Sequence, residues 1–139
     1  MQKIVIDTNV IVSSLIQRSY PYKIIYELFV DDLFLLCVSE ELMAEYYEVL
    51  AKLKFARFAD FCGKAENLLA DIETKCKKFV PNLTIDFIKD KDDNMILELA
   101  DECKADFIIT GNTNDFTFSE YNQTKIISPK EYWESHAFQ

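Results

Sequence analysis

The stretch KIVIDTNVIV, residues 3–12, decides how the rest of the chain is read. An apolar triplet, residues 4–6, is cut off by Asp7, Thr8 and Asn9, and apolar character resumes at once in residues 10–12. So short an apolar run reads as a buried strand, and the residues from about Asn9 onward read as a helix. Asp7 then stands at the carboxyl end of a strand, the edge on which open α/β sheets bind their ligands. Taken alone, it could equally be an acid that ends a strand and bonds the following turn.

The same alternation continues outward. Pro21 suits the first turn of a second helix running to about Asp31. LFLLCV (33–38) is a second strand, apolar throughout as a strand covered on both faces is. Ser39 caps a helix with an acidic first turn, whose Leu42, Tyr46, Val49, Leu50 and Leu53 form one stripe. Glu45 lies at the edge of that stripe, while Glu41 and Glu48 face outward. A long helical segment follows from about Arg57 to Lys78, with Phe58, Phe61, Leu68, Leu69 and Ile72 as its core residues. A short third strand is expected between Phe79 and Ile85, weakened by Pro81. Ile96, Leu99, Ala100 and Cys103 mark a further helix face, DFIIT (106–110) a strand and KII (125–127) another. SPKE (128–131) is a capping box, with serine as cap, proline at the first helical position and glutamate at the third. Strands alternating with helices predict an α/β fold: a parallel sheet of four or five strands flanked by helices on both faces, in one domain spanning residues 1–139.

Composition narrows the chemistry. Half of the 139 residues are apolar and 14% aromatic, enough for a real core. An acid at position 7 precedes any signal-peptide apolar region, and no eighteen-residue apolar run occurs, so a cytoplasmic protein is expected. Cys37, Cys62, Cys76 and Cys103 are scattered singly, which reads as reduced thiols. The one histidine, His136, excludes histidine-centred triads and HExxH zinc sites by inventory. A net charge of −9 argues against plain nucleic-acid binding. Residues 52–78 run the other way, with seven bases and four acids.

Chemistry must therefore run on carboxylates, hydroxyls or metals. Asp7, Glu45, Asp92 or Asp93, and the segment from Thr110 to Asp115 each fall just past a strand or in the early turns of a helix, so they can converge. Grouped carboxylates repel unless a cation neutralises them, and an oxygen-only ligand set suits Mg²⁺ or Mn²⁺. That is the layout of metal-assisted phosphodiester hydrolysis. Each acid also has a plainer role: Glu45 as a solvated helix-edge acid, Asp92 and Asp93 as helix caps, Asn112 and Asp115 as loop residues. Their joint placement carries the reading.

With these residues assembled, the chain resembles the PIN-domain nucleases, in particular small bacterial toxins of the VapC-like type. The resemblance runs through VIDTNVIVSSL, VSEELMAEYYEVL and DKDDNMILELADECKADFIITGN. It implies that Asp7, Glu45 and Asp93 are metal-binding catalytic acids, with Thr8, Asn9 or Thr110 orienting them. Periodicity does not separate Asp92 from Asp93; the family spacing favours Asp93. Many members have an aspartate where this chain has Asn112, so either Asp115 supplies a fourth carboxylate or three acids work beside a neutral amide. The resemblance further implies an Mg²⁺- or Mn²⁺-dependent endoribonuclease acting as a toxin, an antitoxin partner and a homodimer. Lys52, Lys54 and Arg57 are the expected RNA contacts. The alternative is a weakened PIN-like RNA-binding or protein-interaction module.

A haloacid-dehalogenase-like phosphatase needs a second aspartate where Asn9 stands. A phosphoacceptor receiver domain needs an acidic pair after its first strand and a lysine after its last, whereas Lys125 precedes the final strand.

Overall fold

A computed structural model describes residues 1–85, 91–113, 116 and 119–138. The strands are β1 (Lys3–Ile6), β2 (Leu35–Val38), β3 (Lys77–Lys78), β4 (Phe107–Ile109), β5 (Glu120–Tyr121) and β6 (Thr124–Ile127). The helices are α1 (Thr8–Ile16), α2 (Tyr20–Lys23), α3 (Glu40–Leu50), α4 (Phe61–Lys75), α5 (Lys91–Cys103) and α6 (Pro129–Ser135). They form one sheet in the order β3-β2-β1-β4-β6-β5, parallel except for the β5–β6 hairpin at one edge.

The order explains where a ligand can sit. From β1 the chain steps outward to β2 and β3, then returns to the far side of β1 to make β4. The reversal puts the carboxyl ends of β1 and β4 side by side, with Ile6 opposite Ile109. A crevice forms at such a switch point. Because crossovers between parallel strands are right-handed, the reversal also sends α5 to the face opposite α1–α4. The central strands are thus covered on both sides, and Ile4, Val5, Ile6, Phe107, Ile108 and Ile109 are all buried.

Local chemistry sets the element ends. The Ser39 hydroxyl accepts the Leu42 N–H at 3.1 Å, and the Ser128 hydroxyl accepts that of Glu131 at 3.1 Å, each capping its helix. Pro21 lies in the first turn of α2. Beyond Lys23 the helix widens into a π turn over Ile24–Phe29, which buries Ile24, Ile25, Leu28 and Phe29. Tyr132 of α6 packs edge-on against Phe34 and Phe107 and donates to Gln2 Oε1 at 2.6 Å, locking α6 to β1.

Three expectations are corrected. The third strand is Lys77–Lys78, not a segment between Phe79 and Ile85: Pro81 lacks an N–H, and a two-residue edge strand tolerates exposed lysines. The long helix starts at Phe61 rather than Arg57, because Asp60 takes a left-handed conformation, φ +57°, that breaks any helix arriving from Arg57. Hairpin strand β5 joins the expected strands, its turn carried by Asn122 at φ +53°. Helix α3 ends at Leu50, before Leu53. The cysteines carry free thiols, Cys37 and Cys103 buried and Cys62 exposed. Among the described residues no helix is long and apolar enough to cross a membrane.

Candidate functional site

Asp7 leaves β1 directly into α1, and its N–H extends the sheet by donating to the Ile109 carbonyl at 2.9 Å. Its side chain does not cap the helix. Instead, Asp7 Oδ2 accepts the Thr110 hydroxyl at 2.8 Å and the Asn9 amide at 3.4 Å. Thr110, fully buried at the end of β4, itself accepts the Asn112 backbone N–H at 3.1 Å. A hydroxyl has one proton, so accepting from Asn112 leaves that proton for Asp7. The carboxylate is thereby oriented from the neighbouring strand.

Glu45 reaches the same place from α3. Thr8, buried in the first turn of α1, donates its hydroxyl to Glu45 Oε2 at 2.5 Å. Since Thr8 follows Asp7 in the chain, this bond ties the two acids together through adjacent residues. Tyr46, the next residue of α3, is completely buried and its hydroxyl donates to the Ile6 carbonyl, pinning α3 to the last residue of β1. Burial, followed by the nearby Asp7 and Glu45 charges, holds the Tyr46 phenol well above its ordinary pKa, so it stays a donor.

Asp93 stands in the first turn of α5 and is 7% exposed, with Asn94 beside it at 5%. Two residues on, Met95 lines a cleft of about 420 Å³ shared with Glu45, Glu48 and Lys52. The start of α5 and the middle of α3 therefore border one space. Asp115 lies outside the described residues, as does the side chain of Asp92. Asn112 is exposed next to Thr110. Of the expected RNA contacts, Lys52 borders the acid cleft, whereas Lys54 and Arg57 lie over the rings of Phe55 and Phe58 at 5.1 and 4.9 Å in the connector before α4.

Gly111 escaped the sequence reading. Its N–H donates to Asn9 Oδ1 at 3.1 Å, and a Cβ at this position would come within 3.3 Å of that same oxygen. The strand end thus approaches Asn9 so closely that a side chain here would have to displace it slightly, and Asn9 is held while it contacts Asp7. The only sequence signal was the scarcity of glycine, two in the chain.

Among the described residues no three histidine, cysteine, aspartate or glutamate side chains come together in a group that could hold a metal ion. The donor chemistry nonetheless fits a hard cation: Asp7 and Glu45 offer oxygen alone, and Mg²⁺ is ordinarily held by one or two carboxylates with water completing its shell. A family model described as a PIN domain matches residues 3–114. No curated relative matches the chain. The match takes in β1, α3, α5 and β4, the elements that carry or adjoin Asp7, Glu45, Asp93 and Thr110, and the chain belongs to the PIN-domain family, whose members are generally metal-dependent nucleases.

Proposed function

We propose that this protein is a metal-dependent endoribonuclease in which Asp7, Glu45 and Asp93 hold an Mg²⁺ or Mn²⁺ ion. The observation that carries the reading is Asp7 at the sheet's switch point, bonded from β4 by Thr110 and tied to Glu45 by Thr8. A divalent ion there supplies a polarised water nucleophile and offsets charge developing on the phosphodiester oxygens. The chain's own part is positional. Thr110 and Asn9 fix Asp7, Thr8 fixes Glu45, and Asp93 stands buried in the first turn of α5. Either Asp115 supplies a fourth carboxylate, or the three acids work beside the neutral amide of Asn112. The cation offsets the acidic pocket, so a chain of net charge −9 can accept a polyanion, with Lys52, Lys54 and Arg57 meeting its backbone. The toxin role, the antitoxin partner, the homodimer and the cytoplasmic setting rest on the sequence resemblance to VapC-like proteins.

Incubation of wild type, Asp7→Asn and Glu45→Gln with single-stranded RNA, with Mg²⁺ or Mn²⁺ and with chelator, tests this reading. Cleavage that needs metal and falls about 100-fold or more in both variants is expected. Cleavage that survives chelation or the Asp7 change contradicts it. A second reading is favoured by Asn112, a neutral amide where many family members carry an acid: a PIN-like module that binds RNA or protein with weakened metal affinity. RNA binding without metal-dependent cleavage by wild type would select it.

A further inference from the structure

Helix α1 carries Asp7 at its start, and its other end, about 12 Å away along the helix axis, borders a second cavity. That cavity, about 250 Å³, lies among Leu15, Arg18, Tyr22, Tyr26 and Lys64. Its chemistry differs from that of the cleft beside Glu45. On a chain of net charge −9, the lining contains two cations and no acid, whereas the cleft beside Glu45 is lined by three glutamates and one lysine. The rings of Tyr22 and Tyr26 lie 4.7 Å apart at 34°, both half-buried, and the Arg18 guanidinium sits 5.3 Å from the centre of the Tyr22 ring. Arg18 and Lys64 are exposed. Burial, with Tyr22 and Asp71 nearby, raises the Tyr26 phenol above its ordinary pKa, so it remains a neutral hydrogen-bonding group.

Flat aromatic faces flanked by cations are the means by which proteins hold single-stranded nucleic acid: bases stack on the rings and the phosphates meet the charges. The deepest core contacts of this segment are made by Ile24, Ile25, Leu28 and Phe29; Tyr26 packs half-buried against that core, and Tyr22 and Arg18 lie at the rim. We propose that this cavity is a subsite for single-stranded RNA, taking one base against the Tyr22–Tyr26 pair and the adjoining phosphates on Arg18 and Lys64. It rests on the nuclease reading above, in that the strand it anchors is the one that crosses the acids at the other end of α1. The subsite fixes where the strand lies relative to Asp7 without contributing to bond cleavage, and it is tolerant of base identity because every base has a stacking face.

Fluorescence anisotropy of a labelled single-stranded RNA of about eight nucleotides, with the full chain and chelator present so that nothing is cut, tests the subsite. Arg18→Glu combined with Lys64→Glu is expected to weaken binding tenfold or more. Tyr22→Leu should weaken it about fivefold, and Tyr22→Phe should bind like wild type. Lys104→Glu combined with Lys130→Glu makes the same change in net charge elsewhere on the surface, and should weaken binding less than threefold. Equal weakening by the two charge-reversed pairs, wild-type affinity in Tyr22→Leu, or no RNA binding by wild type each overturns the subsite. Metal-dependent cleavage by wild type is scored separately. Its absence removes the nuclease reading, while intact cleavage together with unchanged binding by the variants removes the subsite alone.

Discussion

Thr110 concentrates the argument in one hydroxyl: it accepts from the Asn112 N–H and donates to Asp7. Thr110→Val keeps the shape and deletes both bonds, leaving a carboxylate and an N–H short of a partner. A loss of about 1–3 kcal/mol in urea unfolding is expected, together with at least tenfold slower RNA cleavage, both largely restored by Thr110→Ser. Gly111→Ala acts one residue further along. Its Cβ would press on Asn9 Oδ1 and shift the amide from Asp7, so cleavage should fall several-fold while the unfolding free energy changes by about 1 kcal/mol or less, read in the same two assays. At this scale Asp7 was conspicuous from position alone, as a polar residue ending an apolar strand, whereas Glu45 was singled out by joint placement and Asp93 by the family spacing. Which oxygen each threonine would choose was not legible, since Thr8 and Glu45 are 37 residues apart and their contact exists only once α3 packs on α1.

Elements announce themselves in sequence when their ends are chemically marked. Ser39 and Ser128 did so, and both cap as expected. Ser39→Ala should cost about 1 kcal/mol of stability, measured by urea denaturation, because the buried Leu42 N–H loses its acceptor. Strand β3 carried no such mark. Apolar character around Phe79–Ile85 suggested pairing, but at a sheet edge backbone bonds can form under two exposed lysines, and hydrophobicity then says nothing about register. The π turn at Ile24–Phe29 was equally silent, for its apolar spacing is close to that of an ordinary buried helix. Asp60 broke the expected long helix through a left-handed backbone that its side-chain type permits and does not demand.

Across the whole molecule, alternation of strands and helices sufficed for a parallel sheet covered on both faces, whereas the order that sets β4 beside β1 is seen only in the folded chain. The same packing buries two tyrosines whose ionisation is disfavoured. Burial pushes Tyr132 up to about 12 and Tyr46 well above its usual range. Below about pH 9 both residues are neutral folded or unfolded and add no pH dependence. Above it the unfolded chain releases protons that the native chain retains, so stability falls as pH rises toward the raised native values. Urea midpoints should therefore drop between pH 9 and 11, and Tyr132→Phe should flatten the drop. The central claim is also one of whole-molecule geometry: acids from the end of β1, from α3 and from α5 serve one divalent cation. Calorimetric titration of Mn²⁺ into wild type and Asp7→Asn, with folding of both checked by circular dichroism, tests it most directly. Saturable binding by wild type that weakens at least tenfold in Asp7→Asn is the predicted result; equal binding by the two proteins, or none by wild type, would contradict it.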